Sequence, residues 1–323
     1  MIIELDNNKI CFGDAISFYQ DWTRPNAIIC DGPYGISGYD GDLKSSEKLM
    51  GFYSPHLEAW SKYVLPQTTL WFWNTELGWA SVHNEIQKHG WVFKGCNVWD
   101  KGISHIAGNC NGKTMRKFPV VTEVCVQYTR KEVFHIKNET EQSIQKWIRE
   151  QWDKTGLTLN DANIACGVKN AASRKYLTKD HLWYFPPAPE FKMLTEYANK
   201  YGNPAYAPYF SLDGKHSISE NQWNRLRAKF NFEYGVTNVW SEPTLNSRTR
   251  FKMGGMHHPS EKPLKLIKRI IDASTDTGDV IWEPFAGSAV ASKYSFDSKR
   301  QFYCAEINNN YFEIIKHRFL LNN

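Results

Sequence analysis

The feature that most constrains this chain is the apolar run Asn26-Ala27-Ile28-Ile29-Cys30, which stops abruptly at Asp31-Gly32-Pro33-Tyr34-Gly35. A short apolar run closed by turn residues reads as a buried strand with a loop at its end. The same grammar recurs. Periodicity predicts strands over Lys9–Phe12, Thr68–Trp73, Trp91–Trp99, Val120–Tyr128, Asp279–Trp282 and Phe302–Ala305. It predicts helices over Ala15–Tyr19, Phe52–Val64, Leu77–His89, Leu264–Ala273 and Asn310–Leu320, and another from Ala289. Strands alternating with helices define an α/β domain. At 323 residues the chain is long for one domain, which implies one large domain carrying an insertion, or two domains.

The pattern breaks in the middle. From about Lys137 the helical period takes over. Thr140–Lys154 reads as a helix, and Leu159–Leu177 resembles a helix-turn-helix: Leu159–Ala165, a turn at Cys166-Gly167-Val168, then Lys169–Leu177. Lys169, Asn170, Ser173, Arg174 and Lys175 make the second helix polar and basic, suited to a DNA major groove. Two amphipathic helices joined at a glycine also pack simply to bury their faces, and on this pattern alone both readings stand. The Pro-, Tyr- and Ala-rich segment Phe185–Tyr209 reads as irregular around a helix, Glu190–Lys200.

Composition narrows the class. Hydrophobic residues are 41% and charged residues 23%, as in ordinary globular proteins. A net charge of +5 permits a polyanionic partner without demanding one. Aromatics reach 15%, with 13 Trp, and either fill a core or offer faces for stacking bases. Seven Cys without a C-x-x-C pair read as reduced thiols of a cytoplasmic protein, neither a disulfide framework nor a zinc site. His257-His258 lacks partners at ligand spacing, so no metal is expected. Neither a signal peptide nor a membrane-spanning run is read.

Two places read as chemistry. Asp31-Gly32-Pro33-Tyr34 follows an apolar strand, where open α/β sheets bind ligands. An acceptor carboxylate and a main-chain carbonyl there are able to take the two N–H groups of an exocyclic base amine, with an aromatic ring to stack on the base. Asp279–Ser288 runs from strand through a glycine turn to a helix start, a cradle for a nucleotide-like group, and Glu306 ends the next strand where an acid binds ribose hydroxyls. No GxxxxGK[ST] motif is present, so ATP is not indicated. Each feature alone is equally a plain turn.

Together these residues resemble the amino-methylating DNA methyltransferases, in the group whose catalytic motif precedes the cofactor motif. Asp31-Gly32-Pro33-Tyr34 stands for the family's D/N/S-P-P-Y/F/W, and Glu283-Pro284-Phe285-Ala286-Gly287-Ser288-Ala289 for D-P-F-x-G-S-G. His258-Pro259-Ser260-Glu261-Lys262-Pro263 stands for H-P-T/S-Q/E-K-P, and Ile10-Cys11-Phe12-Gly13-Asp14 for an I-x-x-G-D-like opening. The likeness covers residues 9–135 and 256–320 and departs at Gly32, where the family has proline, and at Ala289, where it has glycine.

The resemblance implies a Rossmann-like, S-adenosylmethionine-dependent methyltransferase fold with a mixed, mostly parallel sheet. Residues 1–135 would form the catalytic half, 136–250 an inserted, largely helical target-recognition region, and 251–323 the cofactor half. Asp31, Gly32, Pro33 and Tyr34 would form the methylation site. Asp14, His258, Ser260, Lys262, Glu283, Phe285, Gly287 and Glu306 would bind S-adenosylmethionine, with Glu306 on the ribose, Asp14 near the adenine, and His258, Ser260 and Lys262 toward the methionine end. Duplex DNA would be gripped by Lys169, Asn170, Ser173, Arg174 and Lys175, by Arg248 and Arg250, and by Lys113, Arg116 and Lys117 in the loop Asn109–Lys117. The resemblance points to a flipped base, adenine in preference to cytosine because the first catalytic residue is Asp, and to a restriction-modification setting with a cognate endonuclease encoded nearby and an oligomer as an option. The rival readings are a methyltransferase acting on another substrate and a DNA-binding regulator with an inactive methylase body.

Overall fold

Ala27–Cys30 is buried along its whole length because it lies at the centre of the sheet. A computed structural model describes residues 1–37, 41–106, 111, 113–136 and 140–320. Its strands are β1 (Ile2–Leu5), β2 (Asn8–Phe12), β3 (Ala27–Cys30), β4 (Thr69–Asn74), β5 (Trp91–Asp100), β6 (Thr122–Arg130), β7 (Val133–Ile136), β8 (Thr140–Ser143), β9 (Val239–Ser241), β10 (Val280–Glu283) and β11 (Gln301–Glu306). Its α-helices are α1 (Leu49–Tyr63), α2 (Glu76–Lys88), α3 (Ile144–Lys154), α4 (Leu159–Ala165), α5 (Ala188–Tyr201), α6 (Glu220–Asn224), α7 (Leu264–Ser274), α8 (Val290–Asp297) and α9 (Asn309–Leu320). The chain divides into two units, Met1–Arg130 with Ala228–Asn323, and Lys131–Arg227.

The larger unit is built on a nine-stranded sheet in the order β1-β2-β11-β10-β3-β4-β6-β5-β9. β2, β11, β10, β3 and β4 are parallel neighbours, β9 is parallel to β5, and the β1–β2, β4–β6 and β6–β5 pairs are antiparallel. Side chains alternate across a strand. Ile28 and Cys30 therefore share a core with Tyr53, Leu57 and Trp60 of α1 and Ile86 of α2. Ala27 and Ile29 share another with Leu266, Ile270 and Ile271 of α7 and Ala291 of α8. Full burial of Ile28 or Ile29 contributes about 1.5–3 kcal/mol each. α9 covers the other end of the sheet through Phe312, Ile315 and Phe319, which pack with Ile10, Phe302 and Cys304. Among the described residues, no helix is long and apolar enough to cross a membrane.

The smaller unit pairs the β7–β8 hairpin with α3–α6 around its own core, where Phe191 stacks on Trp223 with ring centroids 3.7 Å apart. The sequence places the middle region at 136–250. In the structure Ala228 onward already belongs to the larger unit, because Val239–Ser241 pairs with β5 and buries Trp240 beside Trp73 and Trp99. The first helix of the expected helix-turn-helix is α4, ended by Gly167 at φ +63°. The expected second helix, Lys169–Leu177, is instead a single widened turn over Ala172–Tyr176. Asn163 causes this: its side chain accepts from the Ser173 N–H at 3.0 Å and donates to the Ser173 hydroxyl at 3.1 Å, tying the segment back to α4. Leu177 N–H then reaches the Ala172 carbonyl, five residues back. Ser173 thus faces α4, while Lys169, Asn170, Arg174 and Lys175 are exposed.

Candidate active site

The carboxyl ends of β2, β11, β10 and β3 lie side by side, and each carries an acid: Asp14 past β2, Glu306 on β11, Glu283 on β10 and Asp31 past β3. Open α/β sheets bind ligands at this edge. Asp31, Gly32, Pro33, Tyr34, Asp14, His258, Ser260, Lys262, Glu283, Phe285, Gly287 and Glu306 all line one cavity of about 510 Å³, the size of a small-molecule site. The DNA-contact candidates are elsewhere. Lys113, Arg116, Lys117 and Arg248 are exposed, and Arg250 is half-buried.

At the catalytic end, the Lys262 ammonium donates to both oxygens of Asp31, at 2.8 and 2.9 Å. The Tyr34 hydroxyl lies 2.9 Å from Asp31 Oδ1 and 2.9 Å from Glu123 Oε2, so its single proton is shared between two carboxylates. Glu123 also lies 3.4 Å from Lys262 and 2.7 Å from Lys101. Lys262 sits 5.1 Å above the Tyr34 ring and 5.5 Å from that of Trp73. Burial pulls Lys262 down, but Asp31 and Glu123 outweigh it and hold the ammonium above the ordinary lysine value. Burial pushes Asp31 up, against the pull of Lys262. Glu123 stays below its usual value because Lys262 and Lys101 overcome its burial. Burial, then the two carboxylates, push Tyr34 far up, so it is a donor at every ordinary pH.

The loop is held by groups that no motif reveals. The Asp42 carboxylate accepts from the main-chain N–H groups of Tyr34, Gly35, Ile36 and Leu43 at 2.8–2.9 Å. Tyr53 and Asn74 donate to the Pro33 carbonyl at 2.9 and 3.1 Å. Gly32 is enforced by space. A Cβ there would stand 2.7 Å from the Tyr53 hydroxyl and 2.8 Å from the Phe285 ring.

At the cofactor end, Glu306 accepts from Gly287 N–H and Asn308 N–H, both at 2.7 Å, one on each oxygen. The Ile307 N–H also faces this carboxylate, and of its about four lone-pair positions one is left for a hydroxyl donor. Burial pushes Glu306 up to about 7. Gly287 has φ +56°, and a Cβ there would meet the His258 ring at 3.1 Å. His258 packs edge-on to Tyr311, and burial lowers it to about 3. Phe285 packs on Phe52, Tyr53 and His56. Two residues expected to face cofactor are drawn elsewhere. Lys262 lies on Asp31. The oxygens of Glu283 are taken up by Ala291 N–H, Ser292 N–H and the Ser292 hydroxyl at 3.2, 2.7 and 2.5 Å, so this acid caps α8.

Sequence reasoning missed Glu123, Lys101, Asp42, Tyr53 and Asn74. Glu123 alone left a trace, as an acid at the start of the apolar strand Thr122-Glu123-Val124-Cys125-Val126.

A mostly parallel sheet with a glycine turn leading to α8, a buried acid on the next strand and a carboxylate loop in the same cavity define the layout of an α/β ligand site. The family model for DNA methylases of the N6/N4 type matches residues 26–317, and the chain belongs to that family. DNA adenine methyltransferase YhdJ of Escherichia coli (strain K12) is 38% identical over 86 residues, 26% of this chain and 28% of the relative. Orphan methyltransferase M.BamHII of Bacillus amyloliquefaciens is 27% identical over 111 residues, 34% of this chain and 40% of the relative. The chain thus matches less than half the length of these relatives. The M1.HpyAVI–SAM complex has a TM-score of 0.52 at 15% identity, covering 97% of this chain and 98% of that one. PvuII DNA methyltransferase (cytosine-N4-specific) has a TM-score of 0.54 at 11% identity, covering 98% and 88%. These likenesses show the Rossmann-like methyltransferase fold.

Proposed function

We propose that this chain transfers a methyl group from S-adenosylmethionine to the exocyclic amine of a base flipped out of duplex DNA, adenine N6 in preference to cytosine N4, in a restriction-modification setting. One observation carries the reading: a single cavity joins the acceptor carboxylate Asp31 to the nucleoside-type cradle of Gly287 and Glu306. The charge of the cavity fits the cofactor. Its acidic lining is Asp14, Asp31, Glu123, Glu261, Glu283 and Glu306 beside the Lys262 ammonium; burial raises Glu283 and Glu306 to about 7, so these two are only partly charged at neutral pH, and burial lowers His56 to about 4 and His258 to about 3, so both imidazoles are neutral. Such a lining suits a sulfonium cation and repels a polyphosphate.

When bound, S-adenosylmethionine supplies an electrophilic methyl group. Glu306 holds a ribose hydroxyl, and Phe285 and the turn at Gly287 shape the wall beside it. Asp31 accepts one amine N–H, opposes the positive charge that grows on the nitrogen, and takes the proton. The Gly32 carbonyl is assigned the second N–H. Glu306→Ala removes a charge-assisted bond and raises the dissociation constant for S-adenosylmethionine by roughly 10- to 100-fold, equivalent to about 1.5–3 kcal/mol. Titration calorimetry checks this, and an unchanged constant takes Glu306 out of the cofactor site.

The exposed cations Lys169, Arg174 and Lys175 are assigned to phosphate. Their joint replacement weakens DNA binding and makes its salt dependence shallower by up to three released counterions, ~0.9 per contact. Cofactor affinity stays unchanged. A wild-type slope in a salt titration means these residues do not touch DNA. The reading as a whole is tested by methylating unmodified genomic DNA in vitro and identifying the nucleosides by mass spectrometry. N6-methyladenine is the expected product; N4-methylcytosine alone overturns the choice of base, and no methylated base overturns the activity.

A further inference from the structure

The groups around Asp31 are ordered so that they leave it one way to receive a substrate. A carboxylate offers about four lone-pair positions, two on each oxygen. Oδ1 accepts from Lys262 at 2.8 Å and faces the Tyr34 hydroxyl at 2.9 Å, whose single proton it shares with Glu123, so both of its positions are taken. Oδ2 accepts from Lys262 at 2.9 Å. The remaining position is on Oδ2, and Asp31 lines the cavity. Both donors are themselves fixed by one residue on another strand. Glu123, at the start of β6, accepts from the Tyr34 hydroxyl at 2.9 Å and lies 3.4 Å from the Lys262 ammonium, while Lys101, past β5, anchors it at 2.7 Å. Lys262 and Glu123 are both buried or nearly so, with side-chain exposures of 4% and 14%. Their interaction is therefore weakly screened.

We propose that Lys262 and Glu123 are positioning residues for methyl transfer: Lys262 and Tyr34 occupy three positions of Asp31 and direct the fourth, on Oδ2, to the target amine, and Glu123 holds both donors in place. This rests on the amino-methylation reading. The two residues act on Asp31 with opposite sign. Lys262 favours the carboxylate that must accept the N–H, and the negative charge of Glu123 opposes it. Asp31 is faced by Lys262 from the segment before α7, by Tyr34 from its own loop, by Glu123 and the Cys125 thiol from β6, and by the Cys30 thiol from β3. Lys101 and His105 face Glu123 from behind. Burial raises both thiols, so they stay neutral where Asp31 titrates.

The sign follows. Activity is lost as pH falls through the Asp31 titration. Removing Lys262 raises that titration and moves the acid limb of the rate profile to higher pH. Removing the charge of Glu123 lowers it and moves the limb to lower pH. A residue with only a packing role moves neither.

The experiment measures single-turnover methyl transfer to duplex DNA against pH, at saturating S-adenosylmethionine, for wild type, Lys262→Gln and Glu123→Gln, with calorimetric cofactor affinity as the check on folding. Lys262→Gln is expected to slow transfer by ~10- to 100-fold, as when a reacting group loses its anchor, with the limb moved up. Glu123→Gln is expected to slow it less, with the limb moved down. Cofactor affinity stays near wild type in both. Limbs that stay in place, or move in the same direction, overturn the proposal. If Lys262→Gln fails to bind cofactor, Glu123→Gln carries the test by itself: a limb that stays in place or moves up overturns the proposal. Wild-type protein that methylates no DNA base overturns the functional reading instead, which keeps the two failures apart.

Discussion

Replacing Asp31 with alanine lowers methyl transfer by on the order of 10³-fold, at the upper end of what one electrostatic group contributes to a transition state. The residue is assigned the amine proton and the charge that grows on nitrogen, and no neighbour replaces it: Glu123 is engaged by Lys101 and the Tyr34 hydroxyl. Cofactor affinity stays near wild type, because Glu306 and Gly287 lie on other strand ends. Stability falls by less than the ~3–5 kcal/mol of a stranded buried charge, since Lys262 keeps Glu123 at 3.4 Å. The readouts are single-turnover rate, calorimetry and thermal unfolding. Near-normal turnover removes Asp31 from the chemistry.

Gly32→Ala is the second large effect, and it tests a departure from the family pattern. The added methyl meets the Tyr53 hydroxyl at 2.7 Å and the Phe285 ring at 2.8 Å, both closer than carbon tolerates. Tyr53 cannot yield cheaply, since its hydroxyl donates to the Pro33 carbonyl and its ring is fully buried. Nor is Phe285 free to move, packed on Phe52 and His56. Overpacking of this kind costs about 1–3 kcal/mol. The strain falls on the loop that aims Asp31, so the rate falls further than the stability, by about 100-fold if the carboxylate moves 1 Å. Tyr53→Phe in the same chain removes the oxygen and recovers part of the loss. A Gly32→Ala protein with wild-type melting temperature and rate means that the loop relaxes freely.

The loop residues of the site were legible in the sequence, whereas the residues that support them were not. Asp31, His258, Gly287 and Glu306 stand at strand ends or helix starts within short motifs, and a local pattern is enough to place them on one cavity. Most helix and strand positions were legible for the same reason, since burial on one face imposes a period. The partners of those motif residues are distant in sequence. Glu123 meets Tyr34 across 89 residues, and Lys262 meets Asp31 across 231, so only the folded sheet brings them together. Asp42 lies close to Tyr34 in sequence, but a solvent-type acid in a polar loop carries no sign that four amides converge on it. Lys169–Leu177 shows the reverse failure. Its composition suits a helix, but Asn163 competes for its backbone and the turn opens. Val239–Ser241 is too short for a period and becomes a strand only because β5 offers it an edge.

The strand order has a consequence for how the chain assembles. β10 and β11 lie between β2 and β3, so these two strands, consecutive in the chain, are never neighbours. Val280 reaches back to the side chain of Asn26 across 254 residues. A ribosome that has released β3 and β4 has therefore exposed the edge of β3, with Ile28 and Ile29, long before Val280–Glu283 emerges to cover it. Loop closure over such a distance is slow, and an uncovered apolar strand edge is open to wrong partners in the interval. The loop bearing Asp31 has supports close by in the chain, Asp42, Tyr53 and Asn74, whereas Lys262 and the strand ending at Glu306 join it only once the C-terminal part of the chain is present.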